Sequence, residues 1–233
     1  MKVVILSGAG VSAESGLGTY RDNGGLWDNY DPMEVASIQG WRRNPGLVLD
    51  FYNMQRKHLA QVEPNQAHKD IAALEKNHQV YVITQNVDNL HERAGSTNVL
   101  HLHGEATKVR PDNACCEADL FSEEKVRDIG YGQVNLGDTD ENGVQLRPHI
   151  VFFGEAVPKL SQAARLVSQA DVLVIIGTSL QVYPAASLYE YAKRSTPIYV
   201  IDPADLKLND PRFIHIRAVA SQGMRELISK GTL

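Results

Sequence analysis

Four continuous apolar runs punctuate the chain: Val3-Val4-Ile5-Leu6, Val80 to Thr84, Val172 to Ile176 and Pro197 to Ile201. Each is too short for a helix and rich in β-branched residues, which suits strands buried on both faces of a parallel sheet. Val99 to Leu102 reads as a further short strand, and Ile150-Val151-Phe152-Phe153 resumes the strand pattern. Between these runs the apolar period lengthens to that of helices. Leu47, Val48, Phe51, Tyr52 and Leu59 recur at helical spacing behind Asn44-Pro45, a helix start, within a mostly helical stretch from Leu26 to about Ala60. Ala67, Ile71 and Leu74 share one face of a second helix over 64–74, and helices are expected near 159–169, 184–194 and 221–230. Alternating strand and helix predicts an α/β fold with a doubly wound, Rossmann-like parallel sheet. Ligands of such a sheet bind beyond the carboxyl ends of its strands, where the loops 8–27, 85–93, 101–105, 153–158 and 177–183 gather. Residues 105–147 are weakly periodic, polar and broken by Pro111 and several glycines, and read as an irregular insert. One domain over 1–233 is therefore expected. Its large lobe would come from about 1–25, 65–104 and 148–233, and its small lobe from a helical part, 26–64, and the irregular part, 105–147.

Composition narrows the class. The 233 residues are 43% hydrophobic and 22% charged, as in an ordinary soluble globular protein. A net charge of −5 gives no basic footprint for nucleic acid. No apolar run approaches the ~20 residues of a membrane span, so no membrane partner is expected. The chain enters its first strand with no charged leader or cleavage site. Its only cysteines, Cys115 and Cys116, are adjacent and make no disulfide framework, which points to the cytoplasm.

The candidate chemistry begins after the first run. Gly8, Gly10 and Ala13 fit Gly-x-Gly-x-x-Gly/Ala. Gly8 allows a tight turn, Gly10 lets the backbone approach a pyrophosphate, and small Ala13 lets a helix pack closely, with its N-terminus toward the phosphate. A glycine-rich turn of another α/β protein would read the same way. The next stretch is unlike a hydride-transfer enzyme, because Gly16-Leu17-Gly18 stops the helix and no second strand ends in a ribose-binding acid. Instead a polar loop carries Thr19-Tyr20-Arg21 and Gly24-Gly25-Leu26-Trp27, which suits a lid over a cofactor. Gln85-Asn86-Val87-Asp88 comes directly after the second strand; its amides and acid suit ribose and carboxamide recognition, or Asn86 and Asp88 simply cap a helix. His101 and His103 project to one side of an extended segment, as a metal pair or as structural histidines.

The runs Gly8-Ala9-Gly10-Val11-Ser12-Ala13-Glu14-Ser15-Gly16, Thr19-Tyr20-Arg21, Gln85-Asn86-Val87-Asp88, His101-Leu102-His103-Gly104-Glu105, Phe153-Gly154-Glu155 and Gly177-Thr178-Ser179 together resemble the sirtuin family of NAD-dependent protein deacylases, in the family's order and over nearly the whole chain. The family usually has Phe at Tyr20. The resemblance implies an enzyme that removes acyl groups from lysine side chains of proteins or peptides. The acyl oxygen joins C1′ of the nicotinamide ribose, nicotinamide leaves, and O-acyl-ADP-ribose and free lysine result. It implies that NAD is held by Gly8, Ala9, Gly10, Ser12, Ala13, Thr19, Tyr20, Arg21, Trp27, Gln85 (ribose), Asn86, Asp88 (carboxamide), Gly177, Thr178 and Ser179. Ile201-Asp202-Pro203 and Ala220 match the adenosine side more weakly. His103 matches the general base, and Asn86 orders a hydroxyl or water at the reacting carbon. Phe153-Gly154-Glu155 and the loop bearing Val182 and Tyr183 would flank an added peptide strand. His101 reads as supporting, and His68 and His91 as packing residues.

Two departures from the family stand out. Most members hold zinc with two Cys-x-x-Cys pairs, whereas Cys115 and Cys116 cannot make that site, so no zinc is expected and 105–147 would be held by packing alone or be mobile. One bacterial branch binds succinyl or malonyl carboxylates through Tyr-x-x-Arg. Here Tyr52 matches but the arginine position is Gln55, and Arg56 is rotated by about 100° on a helix. A deacetylase with residual activity on acidic acyl groups is expected, unless Tyr52 and Gln55 only pack. An ADP-ribosyltransferase or NAD hydrolase, and a non-enzymatic NAD sensor, compete with this reading.

Overall fold

The computed structural model describes residues 1–18, 30–112, 124–206 and 210–233. Six parallel strands form the main sheet: β1 (Lys2–Ser7), β2 (Gln79–Thr84), β3 (Val99–His101), β7 (Val172–Ile176), β8 (Ile198–Ile201) and β9 (Phe213–Ile216), in the order β3-β2-β1-β7-β8-β9. This is the 3-2-1-4-5-6 order of dinucleotide-binding sheets. The order reverses between β1 and β7, so the crevice above their carboxyl ends lies at the switch point.

Alternation along the central strands fills two cores. Val3, Ile5, Val82, Val174 and Ile176 face one side, under α5 (Gln66–Ala73) and α8 (Ala220–Ser229). Val4, Leu6, Leu173 and Ile175 face the other, under α7 (Leu160–Ser168) and a 3-10 segment at 185–191. The expected helix at 184–194 is thus a 3-10 turn, and β9, an edge strand with exposed Ile214, escaped the sequence pattern.

The insert is more regular than its composition suggested. β4 (Gly104–Pro111), β5 (Arg127–Asp128) and β6 (Leu146–Ile150) form a three-stranded antiparallel sheet. The register of β4 against β6 shifts between Glu105 and Val109, so a bulge breaks the alternation that would have revealed the strand. Residues 150–153 do not resume the main sheet. Ile150 ends β6, while Phe153 bridges Ser37 in the link between α2 (Pro32–Val35) and α3 (Ile38–Arg43), and exchanges backbone bonds with Ala36 and Ile38.

Packing alone does not hold this region. From α4 (Pro45–Leu59), Asn53 bonds both the amide and the carbonyl of Val134, at 2.9 Å each. Arg56, fully buried, donates to the carbonyls of Gly132 (2.7 Å) and Ala106 (3.0 Å) and to the Asn53 side chain. Its guanidinium is therefore engaged with backbone carbonyls and the Asn53 side chain. Arg56 and Asn53 staple α4 to the insert above a core of Val109, Val134 and Leu146.

α5 meets α6 (Leu90–Ala94) through two buried histidines, His68 and His91, whose rings lie edge to face at 4.8 Å. Neither ring nitrogen of His68 has a hydrogen-bond partner among the described residues, and burial lowers its pKa from 6.5 to about 4. The unfolded chain therefore takes up a proton near pH 6.5 that the folded protein refuses until about pH 4. His68 should cost no stability above pH 6.5 and about 3 kcal/mol once the pH has fallen to about 4, where the loss levels off. Urea unfolding at pH 7 and pH 4 checks this, with His68→Phe expected to lose about 3 kcal/mol less than wild type on acidification. An equal loss in both proteins would exclude His68 as the source.

Candidate active site

The loop after β1 and the loop after β7 meet backbone to backbone. Gly8 N donates to the Ile176 carbonyl (3.0 Å) and Gly10 N to the Gly177 carbonyl (2.9 Å). A Cβ at Gly8 would lie 2.7 Å from Thr178 Cβ, and one at Gly10 2.8 Å from Gly177 Cα. Gly177 has φ +63°, and a Cβ there would lie 2.2 Å from Val11 N. The glycines thus serve the approach of the two loops to each other. α1 (Gly10–Ala13) is a single turn, and the amides of Gly8, Gly10, Val11 and Ser12 all donate to carbonyls within the protein. Ala13 is exposed, so the close helix packing expected of it does not occur there. That packing falls at Gly223 of α8, where a Cβ would meet Ile201 Cγ2 at 2.2 Å.

A cavity of about 120 Å³ opens beside these loops, lined in part by Ala9, Ser12, Gln55, Gln85, Asn86 and Asp88. Its polar floor is one connected network. The Asn86 amide donates to Ser12 Oγ (3.1 Å), Ser12 donates to Asp88 Oδ2 (2.9 Å), and Asp88 Oδ1 accepts from Leu90 N (3.0 Å). Asp88 is thus a helix cap in part, yet its carboxylate also lines the cavity. Burial raises its pKa, with Leu90, Ser12 and His101 pulling against that shift. Gln85 Nε2 donates to Thr178 Oγ1 (3.2 Å), which ties the loop after β2 to the loop after β7.

His103 Nδ1 lies 3.0 Å from the Gln85 carbonyl. A carbonyl only accepts, so Nδ1 carries the proton and Nε2 is the basic nitrogen. Burial lowers the His103 pKa, against the pull of that hydrogen bond, which keeps the ring neutral. His101, 4% exposed, sits behind the floor between the Asn86 carbonyl and Glu92. Among the described residues no group of three His, Cys, Asp or Glu could hold a metal.

Other expected site residues divide by burial. Ile201 and Ala220 are core residues, while Asp202 and Pro203 reach the surface at the end of β8. Tyr52 is 3% exposed, with its ring against Phe51 (5.3 Å) and Phe152 (6.1 Å), and only Gln55, one turn later, lines the cavity together with His58. Phe153, Val182 and Tyr183 are exposed apolar residues, and Gly154 (φ +91°) turns the chain beside Phe153. Glu155 turns inward. Its carboxylate accepts from Arg147 (2.8 and 3.0 Å) and from Phe152 N (2.8 Å), with Arg110 at 3.7 Å. Thr19, Tyr20, Arg21, Trp27, Cys115 and Cys116 lie outside the described residues.

Glu14, Glu92 and Arg147 hold the site's framework without having been singled out by any sequence pattern. Glu14 caps the first turn of α8 by accepting from Ser221 N (2.9 Å) and Ser221 Oγ (2.6 Å), 207 residues away. Only Glu14 and Glu92 lie within or next to a motif, and nothing in their spacing names their partners.

This geometry has close counterparts. The Sir2 family model matches residues 8–184. An NAD-dependent protein deacylase of Helicobacter pylori is 53% identical over 230 residues, covering 98% of this chain and 94% of the relative. One of Bacteroides thetaiotaomicron is 51% identical over 228 residues, covering 97% and 95%. A solved Sir2 homologue–NAD complex superposes with a TM-score of 0.85 at 38% identity, covering 98% of this chain and 88% of that one. A Sir2–p53 peptide–NAD complex gives 0.79 at 29% identity, covering 99% and 93%. With a family model spanning most of its length and relatives above half identity, the chain belongs to the Sir2 family.

Proposed function

We propose that this protein is an NAD-dependent protein-lysine deacylase that acts chiefly on acetyl-lysine. The observation that carries the reading is the neutral His103, its tautomer set by the Gln85 carbonyl, beside a buried floor of Asn86, Ser12 and Asp88. The donor set fits the cofactor: Asp88 offers an acceptor to a carboxamide, and Gln85 and Asn86 offer donors and acceptors to ribose hydroxyls. Bound NAD would supply the electrophilic ribose carbon and the nicotinamide leaving group. Asn86 would orient the attacking group, and His103 Nε2 would take a proton from a ribose hydroxyl. Thr19, Tyr20, Arg21 and Trp27 belong to the set of residues proposed to hold the cofactor. The exposed Phe153, Val182 and Tyr183 supply the walls between which an acylated peptide adds as a strand. The two lobes would run as the sequence suggests, with the cleft between them.

Acetyl preference is the expected result of Gln55, a neutral donor at the cavity wall, with Arg56 tied to backbone carbonyls. Gln55→Arg should raise kcat/KM on a succinyl-lysine peptide by about tenfold relative to acetyl-lysine, since a charge-assisted pair is about twice as strong as a neutral one. Matched acetyl and succinyl peptides, with products resolved by mass, test both statements. Nicotinamide release that needs no peptide would replace the deacylase reading with an NAD hydrolase or ADP-ribosyltransferase.

A further inference from the structure

Two histidines two residues apart grip consecutive carbonyls of one loop. His103 Nδ1 lies 3.0 Å from the Gln85 carbonyl, and His101 Nδ1 lies 3.0 Å from the Asn86 carbonyl. The other nitrogen of His101, Nε2, lies 2.7 Å from Glu92 Oε1. Both neighbours of the His101 ring are acceptors, so a ring bonded to both carries two protons.

We propose that Glu92 and His101 are a positioning pair whose doubly protonated ring pins the Asn86-Val87 peptide, and through it the adjoining Gln85 carbonyl that sets the tautomer of His103 and the aim of the Asn86 amide. The catalytic consequence rests on the deacylase reading above. Burial by itself would raise Glu92 and lower His101. Their mutual bond and charge outweigh it, holding Glu92 below and His101 above the ordinary value. Asp88, Glu105 and His91 also face the ring electrostatically, and Lys108 faces Glu92. A cavity of about 20 Å³ that His101 also lines is bordered by Arg110, His149, Glu155 and Lys159.

The pair makes the clamp depend on pH. When His101 gives up one proton in alkali, the remaining one stays on Nε2, because the bond to a carboxylate is the stronger. Nδ1 then turns a lone pair toward the Asn86 carbonyl and the clamp is lost. With Glu92→Gln the partner is neutral, its amide can donate to Nε2, and the single proton remains on Nδ1. With His101→Asn the amide nitrogen stands close to the place of Nδ1 and donates at every pH.

Single-turnover deacetylation of an acetyl-lysine peptide at saturating NAD, from pH 6 to 10, tests this with wild type, Glu92→Gln, His101→Asn and His101→Leu. Wild type should show an alkaline fall that is absent in Glu92→Gln and His101→Asn. His101→Asn should stay within about threefold of the wild-type maximum, while His101→Leu falls about 10–100-fold in single-turnover rate at every pH, as a misaimed site does. An alkaline fall that persists unchanged in both Glu92→Gln and His101→Asn overturns the proposal, and so does a His101→Leu protein with the wild-type single-turnover rate. Imidazole nitrogen NMR shifts provide a readout that needs no activity and no His101→Leu protein. Two protonated nitrogens on His101 at pH 7, the Nδ1 proton being the first lost, support the clamp, and a neutral ring overturns it. Should wild type fail to deacetylate the peptide, the deacylase reading falls, and the nitrogen spectra still decide the clamp.

Discussion

His103→Ala is expected to lower the formation of deacylated peptide by about 10²–10⁴-fold, the range for loss of a positioned general base. The reason lies in the ring's surroundings. The Gln85 carbonyl accepts from the protonated Nδ1, so Nε2 is the basic nitrogen, without a competing tautomer. Burial pulls the His103 pKa below its ordinary value, so the base is in its working, neutral form at pH 7. In wild type, kcat should rise with pH through the His103 pKa, and this acid limb should lie below the ordinary histidine value of about 6.5. A pH–rate profile with product quantified by mass, run beside the alanine variant at equal circular dichroism, checks both the size and the limb. A His103→Ala protein within threefold of wild type would remove His103 from the chemistry.

Glu155→Ala is expected to destabilise the protein by about 3–5 kcal/mol, because it strands buried arginines. Arg147 is 1% exposed and lies over Phe152, at 4.2 Å from the ring centre, with Trp41 at 5.7 Å. Its nearest other acid among the described residues is Asp112 at 3.6 Å, which already accepts from Trp41 Nε1 at 2.8 Å. Arg110 shares Glu155 and is pushed down to about 10, chiefly by burial and next by Arg147 itself. Removing the carboxylate leaves the two guanidinium groups facing each other and frees Phe152 N. Urea denaturation at pH 7 measures the loss. Phe153 is carried by the same turn, so the peptide KM should rise several-fold while the NAD KM holds. A loss under 1 kcal/mol would mean that Asp112 alone satisfies Arg147.

The central strands were legible because burial on both faces leaves no polar position in them. Val3 to Leu6 and Val172 to Ile176 are such runs, and both lie in the middle of the sheet. β4 was not legible, since its buried set includes Thr107 and Arg110 and its alternation is interrupted by a bulge. The cavity residues Ala9, Ser12, Gln85, Asn86 and Asp88 could be read in short strings because they come soon after strand ends, while Gln55 and His58 reach the cavity from α4. The partners that hold those residues could not. Glu92 is nine positions from His101, Glu14 lies 207 from Ser221, and Arg56 reaches Gly132 and Ala106 across 76 and 50 positions. Such pairings depend on tertiary contact alone. Nor could the motif spacing foretell that the Tyr52 ring packs against Phe51 and Phe152.

The contact between Gly8, Gly10 and Gly177 bears on how the cofactor loops can be exchanged. No room exists for a side chain at any of the three positions, and the backbone bonds Gly8–Ile176 and Gly10–Gly177 join the two loops as one surface. A graft from a relative that brings only the first loop would have to match a contour it was never paired with. Transplanting 8–13 and 177–180 together keeps that seam intact, so the smallest exchangeable unit of these loops is discontinuous in the chain.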